Sequence, residues 1–66
     1  MSEKQSWPEL IGIPVDEAIA RIKSHDSRLN IIKVKENSPT TRDLRPNRVR
    51  IFYDENGNVV SEPHTG

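Results

Sequence analysis

Between positions 41 and 50 the chain reads Thr41-Arg42-Asp43-Leu44-Arg45-Pro46-Asn47-Arg48-Val49-Arg50. Four guanidinium groups, one carboxylate and one threonine hydroxyl fall in this short span. A guanidinium is a planar fork of donors that cannot give up its charge, and it bonds most strongly to a carboxylate. The segment can therefore form a charge-assisted network around Asp43, or it can meet an anion from outside. Spacing divides the arginines. Arg42 and Arg45 lie in a stretch without apolar periodicity, bracketed by Pro39 and Pro46. Arg48 and Arg50 begin a strand-like alternation, Arg48-Val49-Arg50-Ile51-Phe52-Tyr53. Two cations thus belong to a loop and two to the element at its foot. A loop propped by cations from its own base is a display device.

The elements that must position it are few. Sixty-six residues make one small domain, and a domain of this size buries only about 60% of its unfolded surface. There is no cysteine, so neither a disulfide frame nor a thiolate metal site is available. Residues 1–6 read as a flexible tail. Trp7-Pro8-Glu9-Leu10-Ile11-Gly12 reads as an anchor. Pro14 opens a helix, with Val15, Ala18, Ile19 and Ile22 forming one apolar stripe. Leu29 to Val34 reads as a β-branched strand. Residues 35–47 carry no regular pattern, and a loop that long in a compact domain is often functional. Arg48 to Tyr53 is the second strand, with Val49, Ile51 and Tyr53 on one face. Asp54-Glu55-Asn56-Gly57-Asn58 reads as a turn in which Asn-Gly supplies positive φ angles. Val59-Val60-Ser61 reads as a short returning strand, and Glu62 to Gly66 as a tail. The expected fold class is α+β: a single helix packed on a small mixed sheet, with a long exposed extended loop.

Composition narrows the function. Ten basic and ten acidic residues cancel, which disfavours a dedicated nucleic-acid binder. No apolar run approaches the length of a membrane span. His25 and His64 lack neighbouring ligand types, so no metal is expected. No cofactor motif and no nucleophile elbow occurs, and the chain does not read as an enzyme. The polar amino terminus has no secretory signal, so a secreted or vacuolar location would require a leader removed earlier.

Taken in order, Trp7-Pro8-Glu9-Leu10-Ile11-Gly12, Ile31-Ile32, Thr41-Arg42-Asp43-Leu44-Arg45, Asn47-Arg48-Val49-Arg50-Ile51-Phe52 and Pro63-His64-Thr65-Gly66 resemble the potato inhibitor I family of serine protease inhibitors. The match runs from Trp7 to Gly66 in a cysteine-free chain of suitable length. The resemblance implies tight, reversible, substrate-like inhibition, in which the long loop enters a protease active site in extended form. It implies a reactive bond between Arg42 and Asp43. The protease-contacting positions would be Ser38, Pro39, Thr40, Thr41, Leu44 and Arg45. Arg48 and Arg50 would support the loop through Thr41 and Asp43, and Gly66 would join them. Three departures stand out: Pro14 where a Ser or Thr helix cap is usual, Lys35-Glu36-Asn37 where Pro and Gly are usual, and Pro46 where a larger side chain is usual.

Arg42 at the reactive bond favours trypsin-like enzymes, whose specificity pocket carries an Asp. Subtilisin and chymotrypsin-like enzymes remain as further targets. A monomer is the expected state. The alternative function is a small nucleic-acid-binding module built on the Arg42–Arg50 cluster. Zero net charge and the lack of interleaved aromatics weigh against it.

Overall fold

The structure, a computed structural model, describes residues 5–41, 43 and 45–66. A single helical turn, Pro8–Leu10, leads into helix α1, Val15–His25. Strands β1, Asn30–Lys35, β2, Arg48–Tyr53, and β3, His64–Thr65, form one sheet in the order β1-β2-β3. β1 and β2 run parallel, with Ile31 opposite Val49 and Lys33 opposite Ile51; β2 and β3 run antiparallel.

The helix forms where the apolar stripe predicts. Val15, Ala18 and Ile22 are buried, and Ile19 packs at the margin. Pro14 occupies the cap and offers no side-chain bond. The first helical N–H is instead satisfied from outside the helix: Val15 donates to the Gly57 carbonyl at 2.8 Å. The helix stripe meets Val49 and Ile51 of β2, and Trp7, Leu10, Leu29 and Val59 complete the core. Trp7 also meets the imidazole of His25 edge-on, with centroids 5.9 Å apart. Truncating a residue such as the fully buried Ile51 to Ala would cost about 2–5 kcal/mol.

Some sequence expectations need correction. Val59-Val60-Ser61 is not a sheet strand. Val59 makes one isolated bridge to Tyr53, and its N–H turns instead to Ile13. The third strand lies in the supposed tail, at His64–Thr65. Thr65 pairs with Val49, the Gly66 N–H donates to Arg48, and Trp7 donates to Pro63. Nothing in the local pattern of His64-Thr65 marks a strand; remote partners make it one. Of the tail expected over 1–6, residues 1–4 lie outside the described residues, and Gln5 and Ser6 are tied to β3. Gln5 exchanges bonds with Thr65, and Ser6 bridges His64. In the 54–58 turn only Gly57 has positive φ (83°), while the Asp54 carboxylate accepts from the N–H groups of Asn56 and Asn58.

The parallel pairing of β1 and β2 explains the long loop. Parallel neighbours need a crossover that returns the chain along the whole strand, usually through a helix. Here residues 36–47 make that return, with no helix or strand among the described residues. The crossover is therefore stretched over the sheet rather than wound against it.

Candidate functional site

The loop starts and ends on turns. At its start Ser38 N–H donates to the Lys35 carbonyl at 3.1 Å, and Asn37 takes φ 69°. Asn tolerates this left-handed conformation better than most residues, so Lys35-Glu36-Asn37 does the work of a glycine-containing stretch. Glu36 N–H donates to Tyr53 at 2.7 Å and ties this corner to the sheet. At the far end Arg48 N–H donates to the Arg45 carbonyl at 3.0 Å across Pro46-Asn47. Proline pre-sets the dihedral that such a turn needs at its second position. The Asn47 carbonyl accepts from Asn30 N–H at 2.8 Å, pinning this corner to the start of β1.

Between the corners the chain stands away from β1. An open hollow of ≈ 680 Å³ separates Asn30 and Ile32 from Thr41, Asp43 and Arg45. Ser38, Pro39, Thr40 and Thr41 are all exposed. Arg48 and Arg50 alternate onto the sheet face away from the core, and both reach the loop. Arg48 is 8% exposed. Its Nη2 donates to the Asp43 carbonyl at 2.8 Å and its Nη1 to Asp43 Oδ2 at 3.3 Å. Its Nε donates to a main-chain oxygen of Gly66 at 3.1 Å. Arg50 donates to both the carbonyl of Thr41, at 3.0 Å, and its hydroxyl, at 2.7 Å. The Thr41 hydroxyl in turn donates to Asp43 Oδ1. Arg45 Nε donates to Asp43 Oδ2 at 2.9 Å, and Arg50 Nη2 lies 3.8 Å from Oδ1. Every oxygen of the Asp43 side chain thus faces a donor. The Thr41 hydroxyl foremost, then Arg45 and Arg48, hold the Asp43 carboxyl well below the ordinary carboxylate range.

The structure therefore brings Thr41, Asp43, Arg45, Arg48, Arg50 and Gly66 into one cluster. Arg42 and Leu44, named from the sequence, lie outside the described residues. Arg45 also turns its guanidinium to Asp43 within the loop while most of its side chain stays exposed. The turn at Pro46-Asn47 and its tie to Asn30 were missed as site features, although the Pro-Asn pair was a readable turn signal.

The chain as a whole has known relatives. The sequence model described as the potato inhibitor I family matches residues 1–66. The chain belongs to the potato inhibitor I family. It is 46% identical over 63 residues to protease inhibitor HPI of Hevea brasiliensis, covering 96% of this chain and 90% of that protein. It is 44% identical over 66 residues to eglin C of Hirudo medicinalis, covering 98% and 94%. Among solved structures, the bitter gourd trypsin inhibitor superposes with a TM-score of 0.92 at 35% identity, covering 98% of this chain and 96% of that one. The Hevea protein is named as an inhibitor of proteases and the bitter gourd protein as an inhibitor of trypsin. The cysteine-free potato inhibitor I chain described here carries the same fold.

Proposed function

We propose that this protein is a substrate-like, reversible inhibitor of serine endopeptidases, directed at trypsin-like enzymes and acting as a monomer. Arg42–Asp43 is the bond it offers. One observation carries the reading: an exposed, extended crossover whose Asp43 and Thr41 are gripped by arginines rooted in the strand below. Such a loop meets a protease already ordered, so binding costs little conformational entropy. The names of the relatives point the same way, and they include an inhibitor of trypsin and Hageman factor from Cucurbita maxima. The nucleic-acid alternative is the weaker reading. Arg45, Arg48 and Arg50 are engaged within the chain, so they do not form a free basic patch.

The bracing also accounts for reversibility. A protease that opens the bond leaves two ends, one carrying Thr41 and one starting at Asp43. Arg50 holds the first and Arg48 the second, and both arginines belong to the same rigid strand. The ends stay together, so resealing competes with hydrolysis. Arg42 sets the target. A guanidinium entering a pocket with an Asp at its base gains a charge-assisted bond; in an apolar slot it would be desolvated without a partner. The contact should have standard protease–inhibitor size, about 1,600 Å² in total.

Titration of trypsin, chymotrypsin and subtilisin with the parent and with Arg42→Leu tests this. Trypsin should be bound most tightly by the parent, and the variant should shift preference toward chymotrypsin. Unchanged selectivity would refute the assigned bond, and failure of the parent to inhibit any of the three would refute the function.

A further inference from the structure

The cluster contains one arginine that strand support does not explain. Arg45 lies two residues beyond Asp43 on the loop itself, and its Nε donates to Asp43 Oδ2 at 2.9 Å. Arg48 approaches the same oxygen, at 3.3 Å. The convergence follows from the turn. Arg45 and Arg48 are its first and fourth residues, closed by the 3.0 Å bond from Arg48 N–H to the Arg45 carbonyl. Pro46 biases the residue before it to extended backbone, and the Asn47–Asn30 bond fixes the turn on the sheet. With Oδ2 occupied from both corners, Oδ1 is left for the Thr41 hydroxyl and Arg50. The carboxylate is divided: one oxygen faces its own side of the loop, the other reaches across to Thr41.

We propose that Arg45 is a positioning residue of the inhibitor itself: with the Pro46-Asn47 turn it clamps Asp43 Oδ2, so that the new amino end is held in place after cleavage. This rests on the inhibitor reading above, and it adds a role to the expected protease contact of Arg45. The step it serves balances simply. In the acyl-enzyme the carbonyl on the amino side of Asp43 is esterified to the protease serine, and Asp43 carries a free α-amine. Resealing forms the C–N bond as that amine attacks the ester carbonyl. The C–O bond to serine breaks, and the proton lost by the amine returns to the serine oxygen through the protease histidine. A clamp on Oδ2 restricts where the amine can go. It stays on the Asp43 fragment and so survives the cleavage.

The deciding measurement is the equilibrium between intact and cleaved protein, approached from both sides with a trace of trypsin. That ratio belongs to the free inhibitor, because a catalyst cannot alter it, so lost protease contacts leave it unmoved. Arg45→Ala should shift it toward the cleaved form, because the freed amine gains room once the bond is open; the shift should stay below about fivefold, the limit if a whole exposed pair were lost from the intact form alone. Arg45→Lys should recover part of the shift, since it keeps the charge without the fork. In the free protein, the Asp43 carboxyl followed by NMR should titrate at higher pH in Arg45→Ala than in the parent. An unchanged ratio and an unmoved Asp43 titration, together with weakened inhibition, would make Arg45 a protease contact and overturn the proposal. If trypsin neither binds nor cleaves the parent, the inhibitor reading falls; the titration then decides alone whether Arg45 holds Asp43, and an unmoved midpoint overturns that as well.

Discussion

The two legs of the loop are built differently. The incoming leg, from Ser38 to Thr41, leaves the turn at Asn37 and, among the described residues, is next fixed at Thr41, by Arg50. The outgoing leg carries Asp43 under three guanidiniums, a closed turn at Pro46-Asn47 and a main-chain tie to β1. The difference follows from the parallel crossover. The outgoing leg has to arrive at β2 in register, and its last residues are already neighbours of the strand that supplies the arginines. The incoming leg has left β1 and, among the described residues from Ser38 on, is bonded to β2 only at Thr41, through Arg50. A loop read by a protease gains from this asymmetry. Under the proposed function, the side offered to the substrate cleft would keep some freedom to adapt, and the side that would depart after cleavage would be tethered.

Removing Arg48 should damage this arrangement most. Its guanidinium is buried and joins three things: the Asp43 carboxylate, the Asp43 carbonyl and the Gly66 end of the sheet. Arg48→Ala should lower stability by about 2–3 kcal/mol, the range for lost bonds to charged groups with partners left unmet. Urea unfolding should give a lower midpoint at unchanged slope. It should also make the loop a faster-consumed substrate. A midpoint within error of the parent would mean that the outgoing leg does not depend on this residue.

How much of this was legible in the sequence varies with range. The β2 strand was readable to its ends, because Arg48-Val49-Arg50-Ile51-Phe52-Tyr53 alternates sharply and its apolar half meets the helix stripe. The helix was readable for the same reason. β3 was not, because His64 and Thr65 have no pattern of their own and become a strand only by meeting Val49, Arg50 and Gln5. The β-branched Val59-Val60 drew the expectation instead, yet Val59 spends its hydrogen bonds on Gly12 and Ile13. In the site, the cast was legible but the pairing was not. Spacing put Arg48 and Arg50 on one face. Which of them takes Asp43 and which takes Thr41 depends on how far each sits from the Pro46-Asn47 turn, a quantity set in three dimensions.

Arg50→Ala sharpens the contrast between legs. Arg50 is 20% exposed at its side chain, and its two bonds go to one exposed residue. The stability loss should be smaller than for Arg48→Ala, about 0.5–1 kcal/mol. Its functional effect should fall on Thr41, the incoming side. The variant should bind protease more weakly and be cleaved faster than the parent, while the urea midpoint moves little. Comparing the two variants for cleavage rate per unit of lost stability separates loop support from fold support. If Arg50→Ala loses as much stability as Arg48→Ala, the two legs are not energetically distinct.

Acid should release the hub with the least disturbance, and here the sign matters. Asp43 has a depressed folded value relative to the ordinary 3.8. A carboxylate of this kind contributes stability that is present in full above the unfolded pKa. Below it the unfolded chain takes up a proton that the folded chain refuses, and the contribution is lost as pH falls toward the folded value. Asp26, bonded to Arg28, is depressed in the same direction, so total stability would mix the two. The clean quantity is the difference between the parent and Asp43→Asn. That difference should be flat above about pH 5 and should shrink steadily as pH falls below the unfolded carboxylate value, about 3.9. Since Asp43 is a loop residue with 38% of its side chain exposed, the whole change should be small. A gap that stays constant down to pH 2 would mean that the arginines hold the loop through its main chain, chiefly the Asp43 and Thr41 carbonyls, and that the carboxylate is incidental.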